Sequence, residues 1–332
     1  MTDKNILMGF DNNIQSALWL PVTKVERSFV KYIDPTDSPG SVWKQEPFDS
    51  PITLSVIIPT IDAHRDGYFP KLLAQIDRQD FSGYQMLVVK GDPRQGRAIN
   101  IAVALSQGKY ILTLDDDTSL PDKKTFSKLV SLMEKHPNIG IAGGNNTIPK
   151  NASVFVRRAM RQLPRRSWEP VNTITESDLA EHPCMIMRTA EFKAVGGENE
   201  LIPRGLDPYL RQEFRKMGKR VVVTPGVIYH HLPPDTCKKL LKQFYRNGYQ
   251  AAFTNRYFPQ WVIETPDSHG QFKTQNSFAF RLLRYPIFLL RALITGKLIW
   301  FLCEVAYALG FVHQFISSKK GYQYDQQVNF TA

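Results

Sequence analysis

The stretch Gly108-Lys-Tyr-Ile-Leu-Thr-Leu-Asp-Asp-Asp117 is the part of the chain that most constrains the fold. An apolar run between a glycine and a turn is typical of a buried β-strand. This strand is followed at once by the aspartate triplet Asp115, Asp116 and Asp117. Carboxylates at positions n and n+2 can turn toward one point, where hard oxygen ligands suit Mg²⁺ or Mn²⁺ with a phosphate-rich substrate. The alternative is a solvated turn whose first aspartate caps the next helix.

Strands and helices alternate around this stretch. The patterns predict strands over 54–58, 85–89, 109–114 and 139–142, and helices over 65–79, 96–106 and 123–135. Such alternation indicates an α/β fold with a mostly parallel sheet flanked by helices, in which ligands bind beyond the carboxyl ends of the strands. The aspartate triplet lies at such an end. Because no Gly-x-Gly-x-x-Gly and no Gly-Lys-Ser/Thr loop follows the first strand, neither a dinucleotide oxidoreductase nor a P-loop NTPase is indicated.

Length and composition are those of an ordinary globular protein, with 332 residues of which 42% are hydrophobic. We expect an N-terminal extension (1–50), a catalytic domain (51–260) and a C-terminal helical segment (261–332). The N-terminus has no signal-peptide pattern, and the three cysteines lie far apart without metal-ligand spacing. A reducing, cytosolic setting is therefore the simplest expectation.

The formal net charge of +11 calls for an anionic partner. The basic residues gather in two segments, Arg157, Arg158, Arg161, Arg165 and Arg166 in one, and Lys238, Lys239, Lys242 and Arg246 in the other. Neither segment matches a nucleic-acid-binding module, so nucleic acid is not an expected partner. A solvated helix face and a functional patch are equally open for both segments.

The C-terminal segment is unusually apolar. Between residues 278 and 315, Arg284, Arg291, Lys297 and Glu304 interrupt it every six or seven residues, so no charge-free run approaches the ~20 residues that cross a bilayer. Residues 281–320 carry six basic side chains and one acidic, which favours helices lying on an anionic membrane surface. We expect a peripheral, monotopic protein on the cytoplasmic side, with two or three short helices broken at proline and glycine. The alternative is a helical hairpin packed on protein.

Five short motifs follow one another between about residues 54 and 260. They are Ser55-Val-Ile-Ile-Pro-Thr60, Gly96-Arg-Ala-Ile-Asn100, Leu114-Asp-Asp-Asp117, the stretch Gly196-Gly197 with Gly205-Leu-Asp207 and Leu210-Arg211, and Val227-Ile-Tyr-His-His231. Their order and spacing resemble the inverting family 2 glycosyltransferases with the GT-A fold. The resemblance implies a Rossmann-like, mostly parallel sheet and transfer of a sugar from a nucleotide-diphosphate sugar.

The resemblance also implies roles for individual residues. Asp207 corresponds to the catalytic base, although as a simple N-cap for a helix over 208–217 it would be equally well placed. The metal ligands implied are Asp115, Asp117 and His230, for Mn²⁺ or Mg²⁺, while His231 is expected to be a structural neighbour. The implied donor-binding residues are Pro59, Thr60, Asp92, Arg97, Asn100, Asp115 and Asp116, the last more as a neighbour than a ligand. Gln243 and Arg246 are expected to contact the diphosphate or the acceptor.

This chain departs from the family pattern in three places. Lys90-Gly91-Asp92-Pro93 replaces an Asp-Asp-Gly-Ser turn, Leu206 replaces a glutamate, and Gln243-Phe-Tyr-Arg246-Asn247 lacks the tryptophan of the motif in processive synthases. We therefore expect single transfer, from a UDP-sugar to the hydroxyl of a saccharide, lipid-linked saccharide or glycolipid, in the synthesis of cell-surface polysaccharide or glycoconjugate. The alternatives are a processive synthase subunit, a nucleotidyltransferase and a non-catalytic membrane adaptor.

Overall fold

The computed structural model describes residues 19–45, 51–270, 272, 277–318, 321, 323 and 325. One sheet of ten strands runs through this part of the chain, in the order β1-β2-β4-β3-β5-β9-β7-β10-β6, with β8 also paired to β10. The strands are β1 (Leu20–Pro21), β2 (Ser41–Lys44), β3 (Leu54–Thr60), β4 (Tyr84–Lys90), β5 (Tyr110–Thr113), β6 (Thr118–Ser119), β7 (Ile139–Asn146), β8 (Thr175–Glu176), β9 (Met185–Arg188) and β10 (Arg220–His231).

Five strands in the middle of the sheet run in the same direction. Strand β3 pairs in parallel with β4 and β5, and β7 pairs in parallel with β10. Strand β9 lies between β5 and β7 and is antiparallel to both. The predicted α/β class with a mostly parallel sheet is confirmed, and β9 is an element that the sequence patterns did not predict.

Helices cover both faces of the sheet. They are α1 (Tyr68–Asp77), α2 (Gln95–Leu105), α3 (Thr125–Lys135), α4 (Val154–Gln162), α5 (Thr189–Ala194), α6 (Leu206–Lys216), α7 (Cys237–Tyr257), α8 (Phe278–Ile294) and α9 (Leu298–Ser317). Successive strand residues point to opposite faces, so Val56 and Ile58 of β3 pack with α1 and α3, while Ile57 packs with α2 and α6. Burial on both faces explains why the central strands read as continuous apolar runs.

The first predicted helix starts later than its pattern suggests. Ala63, Arg65 and Asp66 have φ angles of 56°, 48° and 53°, and a short 3₁₀ turn over Arg65–Gly67 precedes α1. Left-handed backbone cannot continue an α-helix, which therefore begins at Tyr68. The loop that results lies next to the aspartate triplet.

The described part of the N-terminal segment lies against one edge of the sheet. Strand β2 pairs with β4, and Trp19 and Trp43 pack on the core. This agrees with an arm laid across the catalytic domain. The division at residues 50 and 260 stays a prediction, and 1–18 and 46–50 lie outside the described residues.

The C-terminal segment forms two helices of full length. We expected Pro286 to break the segment, but α8 continues through it and ends before Gly296, whose φ is 66°. A proline removes one backbone donor from a helix. Here the turns after it are held because Phe288 and Ala292 pack with Trp300 of α9.

Among the described helices, α9 is the one that is long and apolar enough to cross a membrane, judged by length and composition. Glu304 is its single Asp, Glu, Lys or Arg residue, and 22% of its most apolar window is buried in the protein. The spacing of charges therefore does not exclude a span for this helix, in contrast to our expectation. One helix of this kind is weak evidence for a span.

Candidate active site

The aspartate triplet lies where β5 ends at the carboxyl edge of the sheet. Leu114 donates its backbone N–H to Ile57, and the chain then turns, with the Thr118 N–H donating to the Asp115 carbonyl. Strand β6 follows and pairs antiparallel with the last residues of β10, so that Thr118 lies opposite His231. This short pairing brings a histidine to the aspartates.

Asp115, Asp117 and His231 form a compact group. Their potential ligand atoms all lie within 4.8 Å of one another. His231 Nε2 is 3.1 Å from Asp117 Oδ1 and 3.8 Å from Asp115 Oδ2. Two carboxylates and one imidazole match the hard oxygen and nitrogen ligands that Mn²⁺ accepts. The donor set therefore fits a divalent cation.

His230 is not part of this group, contrary to our expectation from the resemblance. Its Nδ1 lies 2.8 Å from the Thr147 carbonyl oxygen and 3.2 Å from the Thr147 hydroxyl. His230 and His231 are consecutive in β10 and therefore face opposite sides of the strand. Because the β6–β10 register turns the second histidine toward the aspartates, His231 is the candidate ligand.

A cationic side chain already lies on the aspartate group. Arg65 Nη2 is 2.9 Å from Asp117 Oδ2, and Arg65 Nε is 3.4 Å from Asp116 Oδ1. Burial alone would raise the pKa of Asp117, but His231 and Arg65 together lower it below its usual value. Arg65 thus balances part of the charge that a metal ion would neutralise, which supports the fit of a cation to this group.

The other two aspartates have their own partners, so the triplet is not a solvated turn. Gln95 Nε2 donates to Asp115 Oδ1 at 2.8 Å, and the Thr60 hydroxyl donates to Asp116 Oδ2 at 2.7 Å. Burial raises the pKa of Asp115 to about 7 and that of Asp116 to about 6. For Asp115 the Asp117 charge adds to this effect, as expected for two carboxylates that share a site.

Three predicted donor-binding residues, Asp92, Arg97 and Asn100, make hydrogen bonds in the interior of the protein. Asp92 accepts two hydrogen bonds from Arg97, at 2.7 and 3.0 Å, and one from the Ser38 hydroxyl at 2.6 Å. Asn100 donates to the Glu198 carbonyl and to the Glu200 carboxylate. All three predicted residues are buried. They join the N-terminal segment and the loop after α5 to the sheet, and a role in donor binding stays a prediction for all three. Thr60, on β3 next to Pro59, is a predicted donor residue that contacts the triplet, where Asp115 and Asp116 are predicted donor residues themselves.

Asp207 lies in the first turn of α6. The N-cap of this helix is Gly205, with φ of 89°, and not Asp207 as its alternative interpretation required. The Asp207 carboxylate instead accepts a 2.7 Å hydrogen bond from the His182 backbone N–H. Its side chain is 29% exposed, so part of it is in contact with solvent.

His182 is a site residue that the motifs did not reveal. Its Nε2 lies 3.1 Å from Glu198 Oε1 and 3.7 Å from Asp207 Oδ1. Burial alone would lower the pKa of His182, but Asp207 and Glu198 raise it to about 9. Burial would likewise raise the pKa of Asp207, but His182 and then Arg211 lower it below its usual value. The imidazolium thus keeps Asp207 ionised.

Glu181 supplies a second acidic group near Asp207, where the chain has Leu206 in place of a glutamate. Burial raises the pKa of Glu181, and the charge of Asp207 raises it further. The preceding loop, and not α6, therefore provides the acidic neighbour of Asp207. No pattern in the sequence could have indicated this, because the two residues are separated by 26 positions.

Gln243 and Arg246 lie on α7, near Arg166 and Arg65. Gln243 Oε1 is 3.5 Å from Arg166 Nη2. Burial lowers the pKa of Arg246, and the charge of Arg65 lowers it further, so the two guanidinium groups are close enough to repel. Both predicted residues are thus brought toward the aspartate triplet from the C-terminal helices.

Known proteins share this fold and part of this sequence. Residues 82–193 match the family model described as Glycosyl transferase family 2. The mannosyltransferase PcManGT from Pyrobaculum calidifontis, solved in complex with GDP-Man and Mn²⁺, has a TM-score of 0.53 at 13% identity, and the match covers 96% of this chain and 100% of that one. S. aureus TarS 1-349 gives a TM-score of 0.42 at 15% identity over 61% of this chain and 66% of that one. No curated protein sequence matches.

The sheet order, the acidic group at its carboxyl edge and the family match together define the class. The chain is a glycosyltransferase with the GT-A fold. It carries a glycosyl transferase family 2 domain over residues 82–193, and the resemblance seen in its motifs is confirmed.

Proposed function

We propose that this protein is a metal-dependent, inverting glycosyltransferase that moves one sugar from a nucleotide-diphosphate sugar to an acceptor hydroxyl. The observation that carries this proposal is that two acidic groups lie close enough for the charge of Asp207 to act on Asp115. The cluster of Asp115, Asp117 and His231 fits a cation, and Asp207, which is 29% exposed, is held ionised.

The role of the proposed metal-binding group is to assist the departure of the nucleotide. Asp115, Asp117 and His231 would hold Mn²⁺ or Mg²⁺, which when bound stabilises the negative charge on a departing diphosphate. Arg65 contacts the same aspartates and is exposed enough, at 44%, to turn toward the diphosphate oxygens. Its bidentate guanidinium suits that ligand.

Asp207 would act as the general base. In the proposed step the carboxylate takes the proton of the acceptor hydroxyl, whose oxygen forms a bond to the anomeric carbon of the sugar as the bond to the diphosphate breaks. Attack from the face opposite the leaving group inverts the anomeric configuration. His182 fixes the orientation of Asp207 through its backbone N–H and stabilises the charged form through its imidazolium.

We also propose a membrane-presented acceptor and a peripheral location, with a UDP-sugar as the first donor to test. Support comes from exposed apolar side chains on α8 and α9, among them Leu283 (77% exposed), Ile287 (64%), Ile294 (75%) and Ile316 (65%). Arg284 and Arg291 lie on the same segment, as in helices that bind anionic surfaces. The free state of all three cysteines fits a reducing compartment, such as the cytoplasmic side of a membrane.

Donor-dependent turnover tests the enzyme part of this proposal. We expect release of free nucleoside diphosphate from one member of a panel of UDP-, GDP- and dTDP-sugars, with Mn²⁺ or Mg²⁺ and no release in EDTA. Binding of a donor without metal-dependent turnover, in the presence or absence of acceptor extracts, would instead support a non-catalytic adaptor.

A further inference from the structure

Glu198 is a fully buried carboxylate with one ion-pair partner in the described part of the chain. The residue is 0% exposed, and neither carboxylate oxygen accepts a hydrogen bond from any other described residue. The cation that faces it is His182, whose Nε2 lies 3.1 Å from Glu198 Oε1. A buried carboxylate is unfavourable in its ionised form unless a charge compensates it. Glu198 therefore depends on the charge of His182, and His182 on that of Glu198.

The contacts of the His182 ring favour a proton on both of its nitrogens. Nδ1 lies 3.3 Å from the Thr113 hydroxyl oxygen, and that hydroxyl donates to the Met185 carbonyl at 3.3 Å. Because the hydroxyl has a single hydrogen, the ring nitrogen is the donor between them. Nε2 faces carboxylate oxygens of Glu198 and Asp207, at 3.1 and 3.7 Å, and these can only accept when ionised. The ring is therefore held as an imidazolium.

The charges around this ring agree with its contacts. Burial alone would lower the pKa of His182, but Asp207 and Glu198 raise it to about 9. A ring with a raised pKa keeps its proton until the pH rises through that value. The other charged groups that act on His182 or Asp207 are Asp115, Glu181, Arg204 and Arg211.

Two of the sequence motifs meet at the backbone of Glu198. The Asn100 side chain accepts from the Glu198 N–H at 2.9 Å and donates to the Glu198 carbonyl at 2.9 Å. Gly197 has a φ of 66°, and a Cβ added to it would lie 2.6 Å from Asn100 Oδ1. A Cβ added to Gly96 would lie 3.2 Å from the Cβ of Glu198. Helix α2 and the double-glycine turn thus fix Glu198 in the position from which it faces His182.

We propose that Glu198 is a positioning residue for the sugar transfer, which keeps His182 doubly protonated above neutral pH and so preserves the ion pair that orients Asp207. This inference rests on the proposed transferase function and adds a residue that acts on its base. His182 reaches Asp207 Oδ1 twice, with its backbone N–H at 2.7 Å and its Nε2 at 3.7 Å. Without the charge of Glu198, the buried ring loses its proton at lower pH, and the second of these contacts is lost with it.

Titration of the histidine rings by nuclear magnetic resonance tests the pairing without any substrate. In the full-length protein, the His182 signals, assigned by their loss in His182→Gln, should show both ring nitrogens protonated up to about pH 8. Glu198→Gln, which removes the charge at nearly constant shape, should lower the midpoint of the titration by about 1 pH unit or more. Glu200→Gln is the matched control, because Glu200 is buried in the same loop but contacts Arg27 and Asn100, and it should leave the midpoint unchanged. A neutral His182 ring at pH 7 in the wild type, which needs no variant of Glu198 to detect, or equal midpoints in wild type and Glu198→Gln, would overturn the proposal.

The pH profile of kcat/KM tests whether this pairing serves the reaction. The alkaline limb should move to lower pH in Glu198→Gln, in step with the midpoint of the His182 titration, whereas a purely structural loss would lower kcat/KM at every pH. In the His182→Gln background, the same substitution should leave the limb in place, because Glu198 acts through the ring. A limb that stays in place in Glu198→Gln alone, or that moves equally in both backgrounds, would overturn the positioning role. Because the ring titration needs no turnover, failure of the transferase function is detected separately.

Discussion

At the scale of single residues, the pairing of β6 with β10 decides which of two adjacent histidines faces the aspartates. The sequence shows His230 and His231 side by side, and a shift of one residue in a strand reverses every side chain. The motif therefore located the metal-binding group but could not select its histidine. Similarly, Asp92 and Arg97 were predicted from the family resemblance, which does not reveal that each is the other's partner in the interior.

The two histidines provide a matched pair of variants. We expect His231→Ala to reduce Mn²⁺ affinity at least about 10-fold, because the group loses a nitrogen ligand. His230→Ala removes only contacts to Thr147 and should leave Mn²⁺ affinity nearly unchanged. Manganese titration followed by electron paramagnetic resonance measures both. A larger loss of Mn²⁺ affinity in His230→Ala than in His231→Ala would instead identify His230 as the ligand.

His182 should act on the pH dependence of the reaction through Asp207. With the imidazolium present, the pKa of Asp207 is lowered, so the base remains ionised well below neutral pH. Replacement by glutamine removes that charge, and the acid limb of the kcat/KM profile should move to higher pH. The measurement is the pH profile of wild type and His182→Gln over the range where both stay folded.

This profile distinguishes positioning from a purely structural role. A variant that is merely less stable would lose amplitude at every pH while the acid limb stays in place. An unchanged acid limb would therefore contradict the role we assign to His182.

At the scale of elements, the apolar runs and the alternation of strands with helices were sufficient to predict β3, β4, β5 and β7 and the helices between them. Strand β9 was not predicted because its four residues, Met185–Arg188, are too few for their pattern to distinguish a strand from a loop. Sheet order also depends on pairings between distant segments, which local periodicity does not contain. The candidate base depends on a contact of this kind, between the start of α6 and the loop before β9.

The contact between α7 and α9 is made by backbone against backbone. A Cβ added to Gly248 would lie 1.9 Å from the Tyr307 carbonyl oxygen, and one added to Gly310 would lie 1.9 Å from the Tyr245 carbonyl oxygen. The two glycines therefore allow the backbones of α7 and α9 to pack directly against each other. Neither has a positive φ, so space and not conformation demands glycine.

We therefore expect Gly248→Ala to destabilise the protein. Forcing a methyl group into packed backbone costs typically about 1–3 kcal/mol. Gly321→Ala is the control, since no atom lies within 4 Å of the added Cβ. Thermal melting of the full chain measures both variants. A melting temperature for Gly248→Ala equal to that of the control would show that α7 and α9 do not pack as described.

At the scale of the whole molecule, exposed apolar side chains gather on α8 and α9, and the role of this surface at a membrane stays a prediction. What composition could not show is how the surface relates to the site. Helix α7 carries Gln243 and Arg246 toward the site, and α9 packs on α7, so a membrane bound to α8 and α9 would lie on the side of the protein that α7 connects to the site. This arrangement favours an acceptor that is delivered from the membrane.

Vesicle flotation tests the surface in the intact chain. Wild type should float with vesicles that contain anionic lipid, and the double substitution Leu283→Glu with Ile287→Glu should abolish this, because it places two charges among the exposed apolar side chains. Leu20→Glu is the control. Leu20 is also exposed (52%) but lies in β1, at one end of the sheet, and its substitution should have no effect. Binding that survives the double substitution would contradict a peripheral role for α8.

The central claim is that one site combines a cation-binding group with an ionised base. Its most direct test is nucleoside diphosphate release from the donor panel by wild type, Asp117→Asn and Asp207→Asn, with Asp122→Asn as a control for an aspartate of the same loop region whose partner is Lys128. We predict metal-dependent release from one donor in the presence of acceptor, falling roughly 10²- to 10⁴-fold in Asp207→Asn and at least about 10²-fold in Asp117→Asn. Asp122→Asn should retain activity. Release by both active-site variants at the wild-type rate, or release that persists in EDTA, would contradict the account.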